Sequence, residues 1–309
     1  MTEDRAKLTR SAAFASITMA LFLVGMKVWA VWQTGSTAML GSLADTTLDL
    51  IASIATLVGV WVAAQPADEE HRFGHGKAEA LAAMFQVVLI ALSASGIALR
   101  AVERLLAGQQ TQAAGDGIIV SLIAILATFA LLAWQRHVIR RTGSLAIKTD
   151  NVHYQSDLFL NLAVIVALAA DQYLGFRQAD PIFGLIIAVW LLWGAWKASS
   201  EAVDHLMDRE WAPERRDQFL AVLARHPEIQ GVHDLRTRTS GTHDFVQFHM
   251  AVDGRLSVEQ AHRIMDEVED KIAAEFPGVE VLIHPDPFGH LDGGRIQSQE
   301  LLPPARAED

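Results

Sequence analysis

Apolar residues gather in six long runs over the first two thirds of the chain, at about 11–32, 38–64, 79–106, 116–136, 146–172 and 180–204. Each run is at least as long as the ~20 residues a helix needs to cross a hydrocarbon core, so the pattern predicts six transmembrane helices. The turns Gln33-Thr34-Gly35-Ser36, Gly108-Gln109-Gln110 and Gly175-Phe176-Arg177 part the members of successive pairs. Arg5, Lys7 and Arg10 precede the first run as they would in a signal peptide. That run is longer than a signal core and a second follows at once, so it reads as an uncleaved helix.

From Pro213 the period changes. Glu214–His226 has helical spacing, whereas Gly231–Thr239 and Phe245–Val252 alternate like strands. Ser257–Phe276 reads as an amphipathic helix opened by a serine cap, and Val279–His284 as a third strand. The order αββαβ predicts a small ferredoxin-like α+β domain in water. Residues from about 289 read as a disordered tail, with Pro303-Pro304 and mixed charge. The expected organisation is therefore a membrane domain over 1–210, a cytosolic metal-binding domain over 211–290 and a tail over 291–309.

Charge orients the helices. The N-terminal segment, the loop with Arg72 and Lys77, and the loop with Arg136, Arg140, Arg141 and Lys148 are basic, while the alternate loops contribute only Arg177. The positive-inside rule places both termini in the cytoplasm. Lys27, alone within the first run, reads as a side chain snorkelling to the outer interface. The 309 residues carry a net charge of −11, which argues against nucleic-acid binding. Cysteine is absent, so any metal site draws on His, Asp, Glu, backbone or water.

Against that apolar background four residues stand out. Asp45 and Asp49 lie four apart in the second run, His153 and Asp157 four apart in the fifth. That spacing sets both members of a pair on one helix face. Each carboxylate at bilayer depth costs roughly 2.5–3.5 kcal/mol, so three together cost on the order of 8–10 kcal/mol unless something offsets them. One imidazole and three carboxylates form a closed tetrahedral set for Zn²⁺. Protons compete for the same ligands, so a counter-moving proton can displace the metal.

Two further groups lie outside the membrane. Asp68, His71 and His75, in the loop between the second and third runs, can converge as the loop turns. His233 and His249 sit at the ends of the predicted strand pair, His262 on the second helix, and His284 and Asp286 at the last strand. Their joint placement points to one or two metals at a domain edge or a dimer interface. His137, His205, His226, His243 and His290 show no comparable partners in the sequence.

At these residues the chain resembles the cation diffusion facilitator family, in particular its bacterial zinc and ferrous-iron efflux members. The resemblance rests on Ser42-Leu43-Ala44-Asp45 with Asp49, and on Pro66-Ala67-Asp68 through His75-Gly76-Lys77-Ala78-Glu79. It rests also on His153-Tyr154-Gln155-Ser156-Asp157 and on Val232-His233-Asp234-Leu235-Arg236-Thr237-Arg238, and it covers about residues 8–288. It implies a homodimer of six-helix protomers in the bacterial inner membrane that exchanges cytosolic divalent metal for external protons; one imidazole with three carboxylates suits Zn²⁺, and admits Cd²⁺ or Fe²⁺. By this resemblance Asp45, Asp49, His153 and Asp157 form the transport site. Asp68, His71 and His75 form a loop site, and His233, His249, His262, His284 and Asp286 a binuclear site that stabilises the dimer. Lys77 and Asp208 match an intersubunit charge interlock. Pro285 departs from the family pattern, in which glutamine is common, leaving only a carbonyl to help there.

An enzyme is disfavoured, because a metallohydrolase needs an open metal position and a general base such as that of His-Glu-x-x-His, and no such motif occurs. The alternative is a membrane-anchored metal sensor without transport. It explains the C-terminal histidines but leaves the intramembrane tetrad without a purpose.

Overall fold

The computed structural model describes residues 2–34, 37–107, 117–175, 178–241 and 243–289. The chain divides into two compact units, one over Glu3–Asp204 and one from His205 onward. The expected tail lies outside the described residues.

Six long helices build the first unit: α1 (Thr2–Thr34), α2 (Thr37–Ala63), α3 (Ala78–Ala107), α4 (Gly117–Thr142), α5 (Leu145–Leu174) and α6 (Ala179–Leu206). Among the described residues all but α5 contain stretches long and apolar enough to cross a membrane. The 30-residue α5 differs because its first half carries Asp150, Asn151, His153, Gln155, Ser156 and Asp157. Large apolar side chains such as Leu92, Val189 and Trp196 are exposed, as a surface facing lipid requires. Small residues line the contacts between helices. A methyl group added to Gly59 of α2 would lie 2.3 Å from Ala82 Cβ of α3, so glycine is what lets these two backbones approach. Gly143, at φ 69°, makes the sharp turn from α4 into α5.

A buried polar cluster fixes α5 among its neighbours. Asp150 accepts hydrogen bonds from Ser16 Oγ of α1 (2.6 Å), Gln86 Nε2 of α3 (2.8 Å) and Gln135 Nε2 of α4 (2.7 Å). Tyr154 Oη donates to the carbonyl of Ser16 at 3.0 Å and lies 3.0 Å from Ser53 Oγ of α2. All six side chains are almost wholly removed from solvent. Burial among hydrogen-bond partners explains how the polar half of α5 is accommodated between apolar helices. The ammonium of Lys27 donates to Thr46 Oγ1 of α2.

The second unit contains α7 (Pro213–Leu223), β1 (Gly231–Ser240), β2 (His243–Val252), α8 (Val258–Glu275) and β3 (Val279–Pro287). Pro213 opens α7 where its missing N–H is no loss. Ser257 and Gln260 cap α8 reciprocally. The sheet order is β1-β2-β3, with β1 antiparallel and β3 parallel to β2. One sheet face and both helices enclose a core that includes Trp211, Phe219, Phe248, Met250, Ile264 and Ile272. The opposite face carries the histidines.

Candidate metal centres

The intramembrane pair from α5 meets its partner on α2. His153 Nε2 lies 3.0 Å from Asp49 Oδ1, and ligand atoms of Asp49, His153 and Asp157 all lie within 4.8 Å of one another. Asp157 lies seven residues beyond Asp150, about 20° from it around the helix, so the hydrogen bonds holding Asp150 also set which way the ligand face turns. His153 is buried, and its Nε2 has no hydrogen-bond partner of good geometry. A buried imidazole nitrogen aimed at carboxylates but bonded to none suits a ligand for a cation. Asp45 belongs to α2, four residues before Asp49, but its side chain lies outside the described residues. Asn161 donates to the carbonyl of Asp157 within its own helix, a structural contact.

In the loop between α2 and α3, Asp68 lies 3.3 Å from both His71 Nδ1 and His75 Nε2. These separations equal the edge, about 3.3 Å, of a tetrahedron with bonds of 2.0–2.1 Å to its centre. Asp68 Oδ1 also accepts the backbone N–H groups of His71 (2.6 Å) and Glu70 (3.0 Å). The bond from His71 does most to hold the Asp68 carboxyl below the usual carboxylate range. His75 Nδ1 lies 3.2 Å from the carbonyl of Pro66, the contact that orients a metal-ligating ring.

On the sheet, His233, His249 and His284 stand side by side in register across β1, β2 and β3. Asp286, two residues along β3 from His284, reaches all three. Its Oδ2 lies 2.8 Å from His249 Nδ1 and 3.3 Å from His233 Nε2, and its Oδ1 3.2 Å from His284 Nε2. A carboxylate with its two oxygens turned to different imidazoles fits a bridge between two metals. His249 and Asp286 share a hydrogen bond at the shortest of these separations, and the donor set of imidazole and carboxylate fits zinc.

His262 is not drawn into this group. It is exposed on α8, and its Nδ1 lies 3.3 Å from Asp266 of the same helix. Asp208, expected to pair with Lys77 of a partner subunit, lies 3.6 Å from Arg238 within its own unit.

Two features escaped the sequence reading. The register of β1 slips between His233 and Arg236, and Asp234 adopts a left-handed conformation at φ 49°. This bulge puts both His233 and Asp234 on the face away from the core, with Asp234 Oδ2 3.7 Å from His249 Nε2. The sequence signal was the three-residue spacing of Val232 and Leu235, which breaks strict alternation. His226, set aside for want of partners, has Glu228 and Glu267 beside it.

Residues 13–207 match the family model described as the cation efflux transmembrane domain, and residues 211–288 the cation efflux protein cytoplasmic domain. The cation-efflux pump FieF of Klebsiella pneumoniae subsp. pneumoniae is 43% identical over 287 residues, 93% of this chain and 95% of that protein. FieF of Serratia proteamaculans is 40% identical over 301 residues, 97% of this chain and all of that protein. A solved structure described as a putative zinc transporter CzrB in its zinc form is 38% identical, covering 27% of this chain and 97% of that one, with a TM-score of 0.26.

Proposed function

The chain belongs to the cation efflux family, and from that membership we propose that Asp45, Asp49, His153 and Asp157 hold the exported ion on its way across the membrane. The protein is a multi-span membrane transporter that exports divalent metal cations, and it is not an enzyme. The observation that carries the site assignment is the convergence of Asp49, His153 and Asp157 between α2 and α5.

Chemistry supports Zn²⁺ as the preferred cargo, with Cd²⁺ and Fe²⁺ as further substrates. One imidazole among carboxylates in a small tetrahedral set suits these ions better than Mn²⁺, which favours an octahedral oxygen shell. With a neutral imidazole the four ligands carry three negative charges, so a divalent ion leaves the set at minus one. On the cytosolic side the metal displaces protons from these ligands. After the bundle rearranges, external protons return to them and release the ion. The protein is thus a metal/proton antiporter working by alternating access.

Three further assignments complete the reading. The basic loops orient both termini to the cytoplasm of a bacterial cell, with the helices in its inner membrane. The protein acts as a homodimer, in which His233, His249, His284 and Asp286 hold structural zinc, with His262 joining the set on assembly. Lys77 and Asp208 tie the two subunits, and Asp68, His71 and His75 bind metal at the loop. Zinc uptake into proteoliposomes, with and without a pH gradient, tests exchange. Flux that follows the gradient is expected; flux indifferent to it points to a channel, and no flux to a sensor.

A further inference from the structure

Among the described residues two histidine nitrogens are buried without a hydrogen bond: Nε2 of His153, at the transport site, and Nε2 of His226. His226 occupies the turn between α7 and β1. Its backbone N–H donates to the carbonyl of Leu223 and its carbonyl accepts from Ile229, so both sides of the ring's attachment are anchored. The side chain is 2% exposed, and its Nε2 points at Glu267 of α8, 3.4 Å from Oε2. That separation lies beyond the usual N–H···O range but matches the ~3.3 Å edge of a tetrahedral zinc site. Glu228, two residues on, brings a second carboxylate, and the three side chains offer ligand atoms within 4.8 Å of one another.

We propose that His226, Glu228 and Glu267 form a separate binding site for a divalent cation of the zinc class in the C-terminal unit. The set offers one imidazole and two carboxylates, a common three-ligand combination for Zn²⁺, with water as the fourth ligand. Both glutamates are exposed, so the ion enters from solvent by a turn of the Glu267 side chain and meets the buried nitrogen beneath it. Coordination through Nε2 leaves the ring proton on Nδ1. The contact given up is the weak one from the Glu228 N–H to Nδ1, at 3.4 Å. The bound ion ties the α7–β1 turn to the middle of α8, adding to the nearby Arg225–Glu275 ion pair at 2.6 Å. No residue of this site belongs to the transport, loop or strand-face clusters.

The test is zinc stoichiometry of the full-length protein in detergent micelles, by equilibrium dialysis with elemental analysis. His226→Gln removes the buried ligand, and Glu267→Gln changes only an exposed side chain, so the second variant remains informative if the first is poorly folded. Each folded variant is expected to hold one zinc fewer per protomer than the wild type. Hydrogen exchange at residues 224–230 is expected to slow on adding zinc to the wild type and to stay unchanged in Glu267→Gln. A Glu267→Gln protein that binds as many zinc ions as the wild type, or shows the same zinc-dependent protection, overturns the proposal.

Discussion

His153 Nε2 of α5 lies 3.0 Å from Asp49 Oδ1 of α2, beside the buried polar cluster of Asp150 and Tyr154. The contact joins two sequence segments more than a hundred residues apart. Among the described residues it joins one imidazole to the carboxylates of Asp49 and Asp157. Replacing it should therefore change which ions are accepted before it changes whether any are. His153→Asp is expected to narrow the preference for Zn²⁺ over Mn²⁺ in competition flux assays, because an all-oxygen set suits harder ions. An unchanged order of Zn²⁺, Cd²⁺ and Mn²⁺ would show that selectivity is decided elsewhere.

Asp286 lies within 3.3 Å of His233, His249 and His284 alike, whereas the second carboxylate at this face, Asp234, reaches His249 at 3.7 Å. Asp286→Ala should thus remove more bound metal than any single histidine substitution on this face. Elemental analysis of purified variants checks the ranking. Chelation is expected to lower the melting temperature of the wild type, and to shift that of Asp286→Ala much less.

Asp150 accepts three buried hydrogen bonds from three different helices. Asp150→Leu takes the acceptor from Gln86 Nε2, at about 1–3 kcal/mol for a buried donor left unsatisfied, while Ser16 and Gln135 keep their bonds to the Ala12 carbonyl and Ser16 Oγ. Asn, which keeps an acceptor oxygen, should recover part of the loss. Unfolding in micelles is expected to rank wild type above Asn and Asn above Leu; equal stability of the three would show that the cluster does not hold α5.

Gly59 is fixed by its closeness to Ala82, where an added methyl would be only 2.3 Å from another. Gly59→Ala forces α2 and α3 apart and is expected to cost about 1–3 kcal/mol. Combining it with Ala82→Gly should restore most of that. Thermal unfolding of the single and double variants measures the coupling.

The helices and strands were legible because their periods are strong. The six runs and the αββαβ order needed only apolar spacing, and α5 was recognised despite its polar half because the apolar run resumes beyond Asp157. The paired spacings Asp45–Asp49 and His153–Asp157 marked the site before any packing was known. What stayed hidden depends on side chains meeting across helices. Ser16, Gln86, Gln135 and Asp150 are ordinary polar residues in four separate segments, and nothing local says that they converge. His226 was invisible for the same reason, since Glu267 is supplied by a helix some forty residues away. The β1 bulge was written in the sequence, in the spacing of Val232 and Leu235, but a broken alternation does not say which residue will turn outward.

The role of the intramembrane cluster is tested most directly by zinc flux in proteoliposomes containing Asp157→Ala, with an imposed pH gradient and the folded state verified in parallel. Flux no greater than in protein-free liposomes is expected, because one of the convergent ligands is gone. Gradient-driven zinc flux at the wild-type rate would contradict the assignment of Asp157, with Asp45, Asp49 and His153, as the site that carries the metal.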